Sequence, residues 1–336
     1  MRIGSLRAIV FVASLAIPAI AQTSNEPVVA FATGTTLTLA AASGQVTQKI
    51  DLKHPIFNFA LSKDRKLLIT VAPDTETGGN LSLLDLETRT QTRLTNGHLY
   101  FKANQLNQGE TEVYDDPQFS PDGRSLAFAI HTDNPGDGND AINDSGPIAV
   151  MDLQTHKTRV LKSTENIDGQ GPCFANNPMW SPDGRWILFN CEAGGFITDV
   201  RGTALRDLKL GTDQDAYSYA VSWVGNSCVL FLQSHTTNGS LDPGKDEVLL
   251  YNSRTSSSQK PALWKAFPSW SATGLREASD SAFILESRAG KTIETNGKEW
   301  TFPAARRVFS GQYSWKVPAA HIIGAWQPSS IPHGCE

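Results

Sequence analysis

The chain has 336 residues, 40% of them hydrophobic, with 29 basic and 34 acidic side chains and a net charge of −5. That balance leaves no basic surface of the kind nucleic acid or an anionic membrane demands of its partner. Beyond the N-terminal segment, no stretch approaches the roughly 20 consecutive apolar residues that span a bilayer.

The N-terminus reads as an export signal. Arg2 and Arg7 precede an apolar run from Ala8 to Ile17, and Pro18-Ala19-Ile20-Ala21-Gln22 places small residues where a signal peptidase inspects the chain. Cleavage is expected after Ala21, leaving residues 22–336 as one domain in the periplasm or outside the cell. The run of about ten apolar residues is too short for a membrane anchor, and no Cys follows the cut to carry a lipid. Losing Arg2 and Arg7 leaves 27 basic residues against 34 acidic ones, a net charge of −7.

Val28–Thr33 and Thr36–Ile50 then alternate as strands with no hairpin before them. Three later segments share one pattern: Ala60–Ile69, Phe119–Phe128 and Trp180–Phe189. The second and third contain Ser-Pro-Asp-Gly, at Ser120–Gly123 and Ser181–Gly184. Pro presets φ for the turn, Asp accepts bonds from nearby backbone N–H groups, and Gly takes the left-handed conformation that closes the hairpin. The flanking apolar runs read as buried strands. A second pair follows each hairpin: Leu81–Thr90, Ile148–Lys157 and, more weakly, Val248–Thr255. A unit of four short strands recurring every 40 to 60 residues or about that is a propeller blade.

These segments resemble the TolB-like β-propellers, whose WD-repeat-like blades carry the same Ser-Pro-Asp-Gly hairpin. The resemblance is specific at Ser120–Phe128 and Ser181–Phe189, partial at Ser62–Ile69, where Arg65 stands in place of Gly, and faint at Ser222–Phe231 and Ser279–Leu285. It implies an all-β fold, and an outer-membrane role only by analogy; no N-terminal domain of the TolB kind is expected before the blades. Blades fall at about 56–95, 117–161, 178–210, 219–264 and 275–305. The leftover N-terminal strands and Tyr313–Trp326 would form a sixth blade, pairing the two chain ends and removing an open sheet edge. Six blades are expected, seven being the alternative.

Strand alternation puts the a–b and c–d turns on one face, and the b–c and d–a connections on the other. The first set is short. The second contains Asn96–Asp116, His131–Gly146, Lys162–Asn177, Ser234–Asp246 and Lys265–Gly274, and long connections in a compact fold are usually functional or disordered. The expected binding surface is therefore the long-loop face around the channel mouth. Asp115-Asp116-Pro117 and Asn176-Asn177-Pro178 enter adjacent inner strands there, so Asp116 and Asn177 are candidate ligand contacts, with Tyr114, Asn104, Gln105, His131 and His235 nearby. Asp and Asn before Pro also occur as plain turn residues. His98 lies in one of these loops.

Asp133, Asp137 and Asp144 space like three positions of a calcium loop, with Gly138 after Asp137. Pro135 offers no side-chain ligand and no helices flank the loop, so the EF-hand pattern is incomplete; Ca²⁺ and a solvated acidic loop are the two readings. Four cysteines in an exported chain favour oxidation. Cys173 and Cys191 bracket a single hairpin and should pair, closing a loop worth about 3 kcal/mol in the chain-entropy model. Cys228–Cys335 then follows by elimination. No Gly-x-Ser-x-Gly elbow occurs, and Gly239–Lys245 lacks the Ser or Thr and the helix that a phosphate loop needs.

The sequence thus points to an exported propeller that binds or scaffolds a protein or envelope polymer through its long-loop face. The alternative is a propeller lyase or hydrolase on a carbohydrate-like ligand, using channel-mouth carboxylates, histidines or a metal. A purely structural envelope component is a third reading.

Overall fold

A computed structural model describes residues 28–33, 35–41, 45–52, 58–62, 66–75, 78–101, 106, 111–133, 142–144, 146–167, 173, 175–191, 194–208, 216–237, 240–241, 247–259, 274–279, 282–286, 292–295, 298–301, 306–310, 313–317, 321–323 and 334–335. Among these, the regular structure is antiparallel β-sheet with one short 3₁₀ turn at Lys162–Thr164.

Strands β1 (Val28–Thr33), β2 (Thr36–Ala41) and β3 (Val46–Asp51) form successive hairpins. The second sheet is β4 (Asn58–Leu61), β5 (Leu67–Thr75), β6 (Gly78–Asp85) and β7 (Gln91–Arg93). The third holds β8 (Thr111–Phe119), β9 (Ser125–Asp133), β10 (Ile142–Asp144), β11 (Ile148–Asp152) and β12 (Thr158–Val160), with β10 pairing the far end of β9. The fourth is β13 (Ala175–Trp180), β14 (Trp186–Cys191), β15 (Gly194–Asp199) and β16 (Leu205–Asp207). The fifth is β17 (Ala216–Val224), β18 (Cys228–Thr237), β19 (Ser240–Leu241), β20 (Glu247–Asn252) and β21 (Ser257–Gln259), with β19 on the far end of β18. The sixth begins with β22 (Gly274–Ser279) and β23 (Ala282–Glu286). A separate hairpin of β24 (Thr292–Thr295) and β25 (Lys298–Thr301) intervenes before β26 (Arg306–Ser310) and β27 (Tyr313–Val317) complete that sheet. Finally β28 (His321–Ile323) pairs with β1, so the first sheet reads β28-β1-β2-β3.

Tyr313–Trp326 therefore does not act as one closing segment. Its first part, Tyr313–Val317, is the outer strand of the sixth sheet, because β26 pairs with β23 and carries β27 along. Among the described residues of that segment, His321–Ile323 pairs with β1. The innermost strands neighbour one another in sequence: β4 beside β8, β8 beside β13, β13 beside β17, β17 beside β22, β22 beside β28 and β28 beside β4.

The sheets pack face to face, and β9 shows why its sequence, Leu126–Ile130, is apolar throughout. Leu126, Phe128 and Ile130 pack with Ile69 and Leu81 of the second sheet, whereas Ala127 and Ala129 pack with Ile187 and Phe189 of the fourth. Alternate side chains enter opposite interfaces, so neither face of the strand meets water. Both Ser-Pro-Asp-Gly turns have one geometry. Ser120 Oγ donates to Asp122 Oδ1 at 2.6 Å and accepts Ser125 N–H at 2.9 Å; Ser181 Oγ does the same with Asp183 and Trp186 at 2.7 and 2.9 Å. Gly123 and Gly184 have φ of 70° and 69°, in the left-handed region that favours Gly. The outer turns share a second device. The Oδ1 atoms of Asp85, Asp152 and Asn252 each accept two backbone N–H groups, from Glu87 and Thr88, Gln154 and Thr155, and Arg254 and Thr255.

Candidate functional site

Inner strands carry, a few residues ahead of their short turns, an irregularity that recurs in neighbouring sheets. In β8 the register passes from Asp115 opposite Ala129 to Gln118 opposite Ala127, leaving Asp116 and Pro117 out of the ladder. In β13 it passes from Asn176 opposite Asn190 to Met179 opposite Leu188, leaving out Asn177 and Pro178. Similar bulges occur in β17 between Ala220 and Ser222, and in β22 between Glu277 and Ser279. Pro cannot donate to a ladder, and Asp and Asn tolerate the left-handed region. Asp116 and Asn177 adopt it, with φ of 49° and 52°.

The two bulges are tied to each other. Asp116 Oδ2 accepts the Asn177 backbone N–H at 2.7 Å, and Asp115 Oδ1 accepts the Asp116 N–H at 2.8 Å. The next seam is held by Asn190, fully buried in β14, which donates from Nδ2 to Ala220 O and accepts the Ala220 N–H at Oδ1, both at 2.7 Å. Indole donors add a parallel stitch: Trp180 Nε1 to Gln118 O at 3.1 Å and Trp223 Nε1 to Met179 O at 3.0 Å. Asp116 and Asn177 are thus brought together in adjacent sheets, both half-buried.

The strands run further into the long-loop side than the sequence reading places them. β8 begins at Thr111, so Tyr114 and Asp116 lie in strand rather than in an Asn96–Asp116 loop; β9 continues to Asp133 and β18 to Thr237. The prolonged second strands supply the partners, as in Thr111 opposite Asp133 and Ala216 opposite His235.

His131 lies on β9 opposite Val113 and is 1% exposed. Burial lowers its pKa to about 4, against the opposing attraction of the Asp116 carboxylate, so the imidazole is neutral at pH 7. His235 pairs with Ala216, four residues before the bulge at Ala220, while His131 pairs with Val113, two residues before the bulge at Asp115. The fourth sheet stands between the sheets that carry His131 and His235.

Tyr114 is fully buried, edge-on to Phe128 at 5.8 Å. Burial, reinforced by the neighbouring Glu112 carboxylate, pushes its phenol pKa up. Its hydroxyl oxygen accepts the Leu99 N–H at 3.4 Å. Tyr114 is therefore a core residue that supports the loop above it. The residue the sequence reading missed is Glu112, 4% exposed. Its Oε1 accepts the N–H of Leu99 at 2.6 Å and of Tyr100 at 3.2 Å, and its Oε2 those of Tyr100 at 3.1 Å and Phe101 at 2.7 Å. One carboxylate thus fixes three consecutive amides of the 94–110 connection. The signal available was parity: Glu112 shares its strand face with Tyr114, an inward position for a charge.

Asn104, Gln105 and Asp137 lie outside the described residues. Asp133 stands opposite Ile142, and Asp144 opposite Thr132, across the β9–β10 ladder. Among the described residues no group of three His, Cys, Asp or Glu side chains is placed to hold a metal ion. The cysteines pair as Cys173–Cys191 and Cys228–Cys335, with Cα separations of 5.6 and 5.0 Å. No described helix is long and apolar enough to cross a membrane.

No family model and no curated protein matches this sequence. Solved structures do match the fold. TolB from Acinetobacter baumannii superposes with a TM-score of 0.53 at 16% identity, over 89% of this chain and 65% of that one. The chain thus spans less than two thirds of that protein's length. An oligogalacturonate lyase in complex with manganese superposes with a TM-score of 0.52, also at 16% identity, over 84% of this chain and 74% of that one. Recurrent four-stranded antiparallel sheets, the repeated Ser-Pro-Asp-Gly hairpin and these superpositions together give the chain the fold of the TolB-like β-propellers.

Proposed function

We propose that the protein is an exported six-bladed propeller that binds a protein or envelope-polymer partner through its long-loop face. Six blades are supported by the six sheets of four or five strands among the described residues, and closure by the β28–β1 ladder. Export is supported by the Arg2–Ala21 segment and the paired cysteines.

The observation that carries the binding role is the Asp116–Asn177 clamp. Two adjacent inner strands both leave their ladders at one level, in conformations that L-residues rarely take. Residues held in such regions cluster at ligand sites and cost of order 1–3 kcal/mol each. From the clamp β8 continues toward the long-connection side to Glu112, which fixes Leu99, Tyr100 and Phe101, and pairs there with the extended end of β9. The test places a photocrosslinking residue at Leu99, 37% exposed on this side, or at Arg124 in a short turn. Envelope extract should give an adduct from position 99, weakened by Asp116→Ala. Adducts from position 124 alone would refute the assignment.

A lyase or hydrolase is the second reading, motivated by His131 beside Asp116. Burial weighs for binding over catalysis, because an imidazole 1% exposed and neutral at pH 7 is out of a substrate's reach without local opening. Turnover of acidic oligosaccharides, abolished by His131→Gln while the fold is retained, would reverse that ranking.

A further inference from the structure

β28 is the shortest of the innermost strands, and its ladder with β1 has three pairs: Ala30–Ile323, Phe31–Ile322 and Ala32–His321. The other innermost strands have four residues in β4, six in β13 and β22, and nine in β8 and β17. Yet β28 is the strand that stands beside both β4 and β22. A strand of this length near a chain end frays unless something beyond it is tied down.

Something is. Cys335, 1% exposed, is bonded to Cys228 at the start of β18, 107 residues earlier. Ser227 N–H donates to Cys335 O at 3.2 Å, and Asn252 Nδ2 donates to Gly334 O at 2.9 Å. Gly334 has φ of 89°, a turn that favours Gly. This anchor belongs to the fifth sheet, not to the first, where β28 pairs. The sixth sheet stands between them, since β17 is beside β22 and β22 beside β28. From Ile323 to Cys335 the chain can reach up to about 40 Å, enough to pass one sheet.

We propose that the Cys228–Cys335 bond and its two flanking hydrogen bonds form a clasp that keeps β28 seated between β4 and β22, so that the ring stays closed only while the clasp is intact. The proposal rests on the six-blade closure put forward above. With the clasp made, β28 is an internal segment held by β27 on one side and Cys335 on the other, and any lost pairing re-forms within the molecule at high effective concentration. With the clasp broken, the chain beyond Val317 is a free end carrying three ladder pairs. Cys173–Cys191 spans 18 residues inside the fourth sheet and has no bearing on β28. A dithiol opens the clasp by thiol–disulfide exchange: two electrons pass to Cys228 and Cys335, which become thiols, and the dithiol becomes a disulfide.

The experiment is amide hydrogen exchange at residues 30–32 and 321–323. Four proteins are compared: the oxidised wild type, Cys228→Ser/Cys335→Ser, Cys173→Ser/Cys191→Ser, and a chain with a protease site inserted between Pro328 and Ser329, cut after folding. The clasp predicts about tenfold or faster exchange in the first double variant and in the cut chain, with β9 still protected. The second double variant should match the wild type at these positions. Unchanged exchange in the cut chain would overturn the clasp while leaving closure standing. Unprotected amides in the oxidised wild type would instead overturn closure, and the clasp with it. If the first double variant loses β9 protection as well, the cut chain decides, because it folds before the connection is severed.

Discussion

His131 should make stability depend on pH in a window that the carboxylates do not share. In the unfolded chain a histidine titrates near 6.5, whereas in the fold burial lowers His131 to about 4. As pH falls through 6.5 the unfolded state takes up a proton that the folded state refuses until about pH 4. Stability is therefore full above pH 6.5, declines down to about 4, and then levels off. At about 1.4 kcal/mol per pKa unit, the loss between pH 7.5 and pH 4.5 is about 2–3 kcal/mol. The carboxylates with lowered pKa act below that range. Asp199, whose hydrogen bonds from Thr203 and Ala204 outweigh the raising effect of burial, lies at about 2, so its contribution is lost only below the unfolded value of 3.8. Urea unfolding of the wild type and His131→Leu at pH 7.5, 5.5 and 4.5 isolates the histidine as the difference between two curves. The variant should be flatter by about 2–3 kcal/mol. Parallel curves would show that His131 is not a buried neutral imidazole, and the reading of the seam beside Asp116 would fail with it.

Asn190→Leu leaves the N–H and C=O of Ala220 without their side-chain partner, and should cost about 2–5 kcal/mol of stability in urea unfolding at neutral pH. Glu112→Ala strips one acceptor from three amides; exchange at Leu99, Tyr100 and Phe101 should accelerate by about tenfold or more, while Leu126–Ile130 keep their protection. If Asp133, Asp137 and Asp144 hold Ca²⁺, millimolar Ca²⁺ should raise Tm relative to EGTA and Asp144→Ala should abolish the rise; identical melting in both buffers means a solvated loop.

Much of the fold was legible because its signals are local. The turn at Ser120–Gly123 needs only Pro, Asp and Gly in order, and the structure repeats it at Ser181–Gly184 bond for bond. The Cys173–Cys191 pairing followed from hairpin geometry and is found. The candidate site was legible only in part. Asp116 and Asn177 stand together as the matching Asp-Pro and Asn-Pro entries suggest, but Tyr114 is in the core, and Glu112 holds the amides of Leu99, Tyr100 and Phe101 from a buried position. Neither His131 nor His235 ends its second strand, because β9 continues to Asp133 and β18 to Thr237, paired there with β8 and β19.

By itself, the sequence determined the strand type and the hairpin turns, because each depends on residues within a few positions of one another. Tertiary structure alone decided three things. It decided where the ladders end, because β8 extends only as far as β9 offers partners. It decided which seams carry polar clamps, because Asp116 meets Asn177, and Asn190 meets Ala220, across separate sheets. And it assigned Tyr313–Val317 to the sixth sheet and His321–Ile323 to the first, because both contain apolar residues suited to a strand and only the pairing edge available to each distinguishes them.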